Sequence, residues 1–336
     1  MGVVRVQVPE PPAPPWDTFI RSADRVWSNL RAELPAPGVE IVTSRPDVWL
    51  WDGHRELPDT DRPIVALLHE APGEAERLSQ ALVHYTDRIG RLVAERATRV
   101  MTCSLASRDR IAERYAIGVE RIDVAPYGVD TTTFRPDGPT AAQAILDAGG
   151  DARPYVLFVG TVLPRKNLPL LRDAMTELLT HQLVLVASPC VDPDSAALLE
   201  AAAEPIDGRP VANLRGVDDR GLAALMRGAD VLCLPSLSEG FGLPVVEAMA
   251  CGTPVVVSDR GSLPEVAGDG GVIVPPTREG VVAGLREALS HHSVLSEKGL
   301  RRAQGFTWSR TAAAIRQSLL SVVLGNATCS TTVGDA

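Results

Sequence analysis

The chain has 336 residues, 45% of them hydrophobic and 22% charged, and carries a net charge of −9. That length exceeds one ordinary core and predicts two domains of about 150–180 residues each. The acidic balance gives no footprint for nucleic acid. Its five unpatterned cysteines (Cys103, Cys190, Cys233, Cys251 and Cys329) argue for free thiols in a reducing compartment, against a zinc site or a disulfide framework.

The opening segment, Met1 to Pro15, lacks the basic start and long apolar stretch of a signal peptide. No apolar run approaches the ~18 residues of a membrane span, so a cytoplasmic protein is expected. Short apolar, β-branched runs then alternate with helical patterns along the chain, the mark of parallel α/β architecture. Strands are expected at Val3–Val8, Val39–Thr43, Val48–Trp51, Ile64–Leu68, Arg99–Thr102 and Arg121–Ala125. A helix from Trp16 to Leu34 sets Trp16, Ile20, Ala23, Trp27, Leu30 and Leu34 along one stripe. Such a stripe faces a core or, as a second use, an acceptor or peripheral membrane surface. Another helix is expected from Ser104, an N-cap residue type, to Ala116.

Between Phe134 and Pro154 the pattern lapses into Pro, Gly, Asp and Ala, with a short helix at Thr140–Asp147. This divides the chain into a first domain over 1–135, a linker over 136–153 and a second domain over 154–307. Strands of the second domain are expected at Tyr155–Val159, Leu183–Ala187, Val211–Leu214, Val231–Leu234, Pro254–Val257 and Gly271–Val274, with helices in the gaps. A final helix over 308–325 is expected to pack back toward the first domain, and the small, polar tail 326–336 to be flexible.

Three strand-to-helix loops of the second domain carry chemistry. In Gly160-Thr-Val-Leu-Pro-Arg165-Lys166-Asn167 the strand is expected to end at Gly160 and a helix to start near Asn167. Arg165 and Lys166 are then either solvated cations or an anion site; because cations oppose the dipole of a helix start, something negative is needed nearby. In Ser-Glu239-Gly-Phe-Gly-Leu-Pro-Val-Val-Glu247, Pro244 fits a first helical turn. The amides of Phe241, Gly242 and Leu243, with glycines at 240 and 242, form a donor-rich cradle for a diphosphate or sugar hydroxyls. Glu247 reads either as a complement to the helix dipole or as a ligand group, whereas Glu239 has no comparable structural reason in an irregular loop. Ser262 and Glu265 have the spacing of a capping box. Since all three loops follow strands of one parallel sheet, they share its carboxyl edge and can converge on one ligand.

The segment from Glu239 to Glu247, continuing Ala-Met-Ala-Cys-Gly-Thr-Pro254, closely resembles the donor-site signature of family-4 retaining glycosyltransferases. Gly160 to Asn167 looks like that family's phosphate loop, and Val124-Ala-Pro-Tyr-Gly-Val-Asp130 with Phe134-Arg-Pro136 is similar to its domain-crossing segment. The resemblance covers residues 47 to 323 and is strongest from 155 to 275. It implies a GT-B fold, two Rossmann-like doubly wound domains facing across a cleft, and transfer of a hexose from a nucleotide sugar with retained configuration. Glu247 would bind ribose and Glu239 a hydroxyl of the donor sugar. Gly160, Thr161 and the amides of Gly240, Phe241, Gly242 and Leu243 would line phosphate and sugar. Lys166 and Arg165 would neutralise the departing diphosphate. His69, after the strand Arg62-Pro-Ile-Val-Ala-Leu-Leu, is similar to the family's histidine over the donor sugar. No metal and no cofactor are implied beyond the GDP- or UDP-linked donor, and the Pro-Arg-Lys-Asn form resembles mannosyl-type members. The acceptor, a glycan, a lipid-linked sugar or a small molecule, is expected in the first domain.

Two departures stand out. Thr161 occupies the place of the family's usual arginine, with Arg165 a candidate to compensate. Pro9-Glu-Pro-Pro-Ala-Pro-Pro-Trp16 stands in place of a Gly-rich loop. A non-catalytic nucleotide-sugar-binding subunit and a GT-B epimerase are the alternatives. A dinucleotide oxidoreductase is disfavoured, because no G-x-G-x-x-G follows a strand.

Overall fold

A computed structural model describes residues 3–8, 20–53, 56–71, 80–189 and 193–325. Its described residues fall into two compact units, one reaching Gly128 and resuming at Phe306, the other spanning Val129–Gly305. Expectations for the helix start before Ile20, for the Pro-rich segment before it, for Cys190 and for the tail 326–336 lie outside the described residues.

In the first unit β1 (Val4–Gln7), α1 (Ile20–Glu33), β2 (Val39–Ile41), β3 (Val48–Asp52), β4 (Ile64–Leu67), α2 (Gln80–Arg96), β5 (Arg99–Thr102), α3 (Leu105–Tyr115) and β6 (Ile122–Val124) build one sheet with flanking helices. The strand order is β2-β1-β3-β4-β5-β6, and the pairings are parallel. Ile64, Val65, Ala66 and Leu67 are all buried, as a central parallel strand covered on both faces requires. Ile89 and Val93 of α2 and Ile111 and Tyr115 of α3 join Ile64, Ala66, Val100 and Ile122 in one apolar cluster. Helix α3 starts where expected, with Ser104 extended and its Oγ accepting from the amide of Ser107 at 2.9 Å. The stripe residues Trp27, Leu30 and Leu34 are buried in the core.

The second unit continues with α4 (Ala142–Asp147), β7 (Tyr155–Val162), α5 (Leu168–Ala174), β8 (Gln182–Pro189), α6 (Pro193–Ala203), β9 (Val211–Leu214) and α7 (Asp219–Gly228). It is completed by β10 (Val231–Leu234), α8 (Leu243–Ala250), β11 (Val255–Ser258), α9 (Leu263–Ala267), β12 (Val272–Val274), α10 (Arg278–Ser290) and α11 (His292–Ala303). Its parallel sheet has the order β12-β11-β10-β7-β8-β9. The last helix, α12 (Trp308–Leu324), belongs to the first unit. There Thr311 Oγ1 donates to the carbonyl of Pro126 at 2.6 Å and Arg316 to that of Glu33 at 2.5 Å.

Candidate functional site

The order of the second sheet places the site. From β7 the chain winds outward through β8 and β9, then crosses back so that β10 pairs with β7 on its other side, Val231 opposite Val156. At such a reversal the loops after the two central strands diverge and leave a crevice at the carboxyl edge. The loops carrying Arg165–Lys166 and Glu239 are those two.

The first loop is shorter than expected. Strand β7 does not end at Gly160 but runs to Val162, because β8 stays alongside it, with Thr161 opposite Ser188 and Val162 opposite Pro189. Gly160 and Thr161 are therefore strand residues, half-buried, and Gly160 has φ 155°. Pro164, Arg165 and Lys166 make a single 3-10 turn, Asn167 turns left-handed, and α5 follows. Arg165 and Lys166 are each only 8% exposed. They are not solvated cations.

The anion they require is Glu239, itself 6% exposed. Its Oε1 accepts from Lys166 Nζ and, at 2.8 Å, from Ser236 Oγ; its Oε2 lies 3.3 Å from Arg165 Nη1. Arg165 Nη1 also donates to the carbonyl of Ser238 at 2.9 Å, and the amide of Leu237 donates to that of Arg165 at 2.6 Å. Burial pushes the Glu239 carboxyl up, but Lys166 and then Arg165 outweigh it and hold it down to about 2. Glu239 thus has a structural reason in its loop after all: its one negative charge pairs with two buried cations and leaves the cluster with a net positive charge.

The third loop braces the second. Ser262 is not the donor-accepting cap its spacing with Glu265 predicts, for its backbone is already helical (φ −80°, ψ −10°) and its side chain makes no cap bond. Instead Ser262 Oγ donates to the carbonyls of Glu239 at 3.1 Å and Phe241 at 2.9 Å. Gly261 next to it has φ 58°, and a Cβ there would stand 2.7 Å from the Glu239 carbonyl oxygen, so only glycine fits. Gly240 is half-buried, and Phe241, Gly242 and Leu243 are buried as the chain enters α8 with Gly242 at φ 93°. Pro244 lies in the first turn, and Glu247, one turn on, is 4% exposed, too enclosed to serve only as a surface complement to the dipole.

His69 follows β4 in the first unit, half-buried. Its Nδ1 is hydrogen-bonded with the Tyr127 hydroxyl, and Cys103 Sγ donates to its carbonyl at 3.2 Å. Burial, chiefly, pushes the Cys103 thiol up to about 12, so it stays protonated. Sequence reasoning singled out neither Ser236, Ser262 nor Tyr127 as a functional residue. Ser236 and Tyr127 lay in or beside quoted motifs, but nothing in their spacing announced the contact. Among the described residues no group of three or more His, Cys, Asp or Glu could hold a metal ion, and no helix is long and apolar enough to cross a membrane.

The family model described as Glycosyl transferases group 1 matches residues 153–291, and that described as Glycosyltransferase Family 4 matches residues 2–133. The chain belongs to glycosyltransferase family 4. Among the relatives of this family-4 chain is the MMP alpha-(1->4)-mannosyltransferase of Mycolicibacterium hassiacum, 34% identical over 235 residues, 66% of this chain and 53% of the relative. The D-inositol 3-phosphate glycosyltransferase of Nocardia farcinica is 33% identical over 281 residues, 77% of this chain and 62% of the relative. The chain therefore spans a little over half the length of these relatives. Sucrose-phosphate synthase from Thermosynechococcus elongatus superposes with a TM-score of 0.72 at 19% identity, over 96% of this chain and 99% of that one. Anabaena HepE in complex with UDP and glucose gives 0.72 at 17% identity, over 95% and 100%. At those identities the likeness is one of fold, and the fold is of the GT-B type.

Proposed function

We propose that the protein transfers a hexose, with mannose favoured, from a nucleoside-diphosphate sugar to a hydroxyl acceptor, with retention of configuration and without a metal ion. The observation that carries this is the buried Arg165–Lys166–Glu239 cluster at the reversal point of the second sheet, beside the start of α8. When a glycosidic bond to diphosphate breaks, negative charge grows on the leaving oxygens. Two preorganised, buried cations stabilise that state more than the ground state, with the helix start adding to the field. The acceptor hydroxyl's proton passes to the leaving phosphate oxygen as the new bond forms on the face the phosphate vacates, so no separate carboxylate base is required. Glu239, anchored by Lys166 and Ser236, keeps lone pairs for a donor-sugar hydroxyl, and Glu247 takes the ribose diol.

A mannosyltransferase among the relatives supports mannose, and neighbours solved with UDP or UDP-glucose support a nucleotide-sugar donor. The test is a thermal-shift panel of UDP, GDP and ADP with their sugars, followed by release of nucleoside diphosphate. A ligand at about a hundred times its dissociation constant stabilises by roughly 2.7 kcal/mol. Binding without any release of nucleoside diphosphate, with or without acceptor sugars, would mark a nucleotide-sugar binder and reject the transferase.

A further inference from the structure

At the end of β4 an imidazole and a phenol meet. The Tyr127 hydroxyl is hydrogen-bonded with His69 Nδ1, and the two rings stand edge-on, 5.7 Å apart at 62°. Tyr127 is 4% exposed and is held from three sides. Its ring stacks on Trp308, centroids 5.9 Å apart at 27°, where α12 begins under the Thr307 cap. One residue before it, the carbonyl of Pro126 accepts from Thr311 Oγ1. One residue after it, Gly128 lies so close to α12 that a Cβ would stand 2.1 Å from the Trp308 amide nitrogen. Residues 126–128 are thus seated against the first turn of α12, and the hydroxyl has little freedom to leave His69.

We infer that Tyr127 is a positioning residue for His69: its hydroxyl donates to Nδ1, so that the neutral imidazole carries its single proton on Nε2. Two arrangements satisfy the contact, a phenol donating to bare Nδ1 or an Nδ1–H donating to the phenol oxygen. The second requires the phenol to send its proton elsewhere. Burial first, and then Cys103, Asp52 and Glu70, raise the Tyr127 pKa well above its ordinary value, so the proton stays on the phenol. The phenol is also hydrogen-bonded with the Cys103 sulfur, a weak acceptor whose own proton goes to the His69 carbonyl. Asp52 accepts from Trp27 Nε1 at 3.2 Å. An imidazole nitrogen is the better partner, and the group that holds one ring nitrogen decides what the other can do. With the proton on Nε2, His69 offers a hydrogen bond to a sugar oxygen and is not a base for the acceptor's proton. This deepens the proposed function, and it rests on the family resemblance that makes His69 a donor-sugar group.

Nitrogen-15 spectra of the histidine rings in the full chain test the link without any turnover, His69 being assigned by the signal lost in His69→Gln. The wild type is expected to show His69 as the Nε2-protonated tautomer. Tyr127→Phe keeps the ring against Trp308 and deletes the hydroxyl. It should mix the tautomers and lower kcat roughly 2- to 12-fold, the worth of one neutral hydrogen bond. The same change in a His69→Ala background should cost nothing further. An Nδ1-protonated His69 in the wild type overturns the inference, and so does an unchanged His69 spectrum, or an unchanged kcat, in Tyr127→Phe. If Tyr127→Phe does not fold, the wild-type spectrum decides. A chain that transfers no sugar fails the proposed function while the ring spectra still decide the Tyr127–His69 link.

Discussion

Replacing Glu239 with alanine removes the counter-charge of two cations that are each 8% exposed. Breaking a buried ion pair from one side costs ~3–5 kcal/mol, because the remaining charge stays desolvated and uncompensated. Loss of the Lys166 proton would draw the cost toward the lower figure. For a domain of this size each kcal/mol moves Tm by about 2–4 °C, so Glu239→Ala should melt roughly 6–20 °C below wild type in scanning fluorimetry. The loss has a pH signature. The folded carboxyl titrates at about 2 against an ordinary value of 4.5, so it binds its proton less readily folded than unfolded. Its contribution is complete above pH 4.5 and drains as pH falls toward 2. The stability difference between wild type and Glu239→Gln should therefore shrink across that interval. A nucleoside diphosphate, restoring negative charge beside Lys166 and Arg165, should raise Tm more in the variant than in wild type. Turnover should still fall roughly 10- to 150-fold, as a hydrogen bond to a charged group is lost from the reacting sugar. A Glu239→Ala protein melting within a degree of wild type, with wild-type kcat, refutes both the electrostatic and the catalytic reasoning.

Glu247→Ala should chiefly raise donor KM, since ribose does not react and its contact is equal in ground and transition states; a kcat defect of the same size would contradict the ribose assignment. Activity should survive EDTA within a small factor, while Lys166→Ala should depress kcat strongly; restoration of EDTA-treated enzyme by Mg²⁺ would reverse the assignment of the leaving-group charge. An α-linked donor should give an α-linked product by NMR, and a β-linked one rejects retention. Gly261→Ala should destabilise through its left-handed backbone and the 2.7 Å approach to Glu239, and lower donor affinity with it; a neutral effect in melting and binding shows the brace unnecessary.

The strands were legible in the sequence because a covered parallel strand is a continuous apolar run: Ile64–Leu67, Val231–Leu234 and Val255–Ser258 are buried at every position. Helix α2 was not. Its inward stripe consists of little beyond Ile89, Val93 and the adjoining Ala97, amid a charged surface and with Gly90 in the middle. Gly90 is there for α3, since a Cβ would strike the Tyr115 ring. The capping box failed for a related reason. Spacing shows that Ser262 can reach an amide at N3, but the close passage of the Glu239–Phe241 backbone offers carbonyl acceptors instead.

The sequence by itself determined the α/β class, the three loops that share a sheet edge, and Arg165 and Lys166 as cations in need of an anion. Each follows from local chemistry: periodicity, turn residues, and charges that oppose a helix start. Tertiary structure alone decided who meets whom. Lys166 and Glu239 are 73 positions apart, and His69 and Tyr127 are 58 apart. Only the crossover that sets β10 beside β7, and the return of α12 to seat Tyr127, bring those side chains within bonding distance, because a hydrogen bond depends on position in space and leaves no period in the chain.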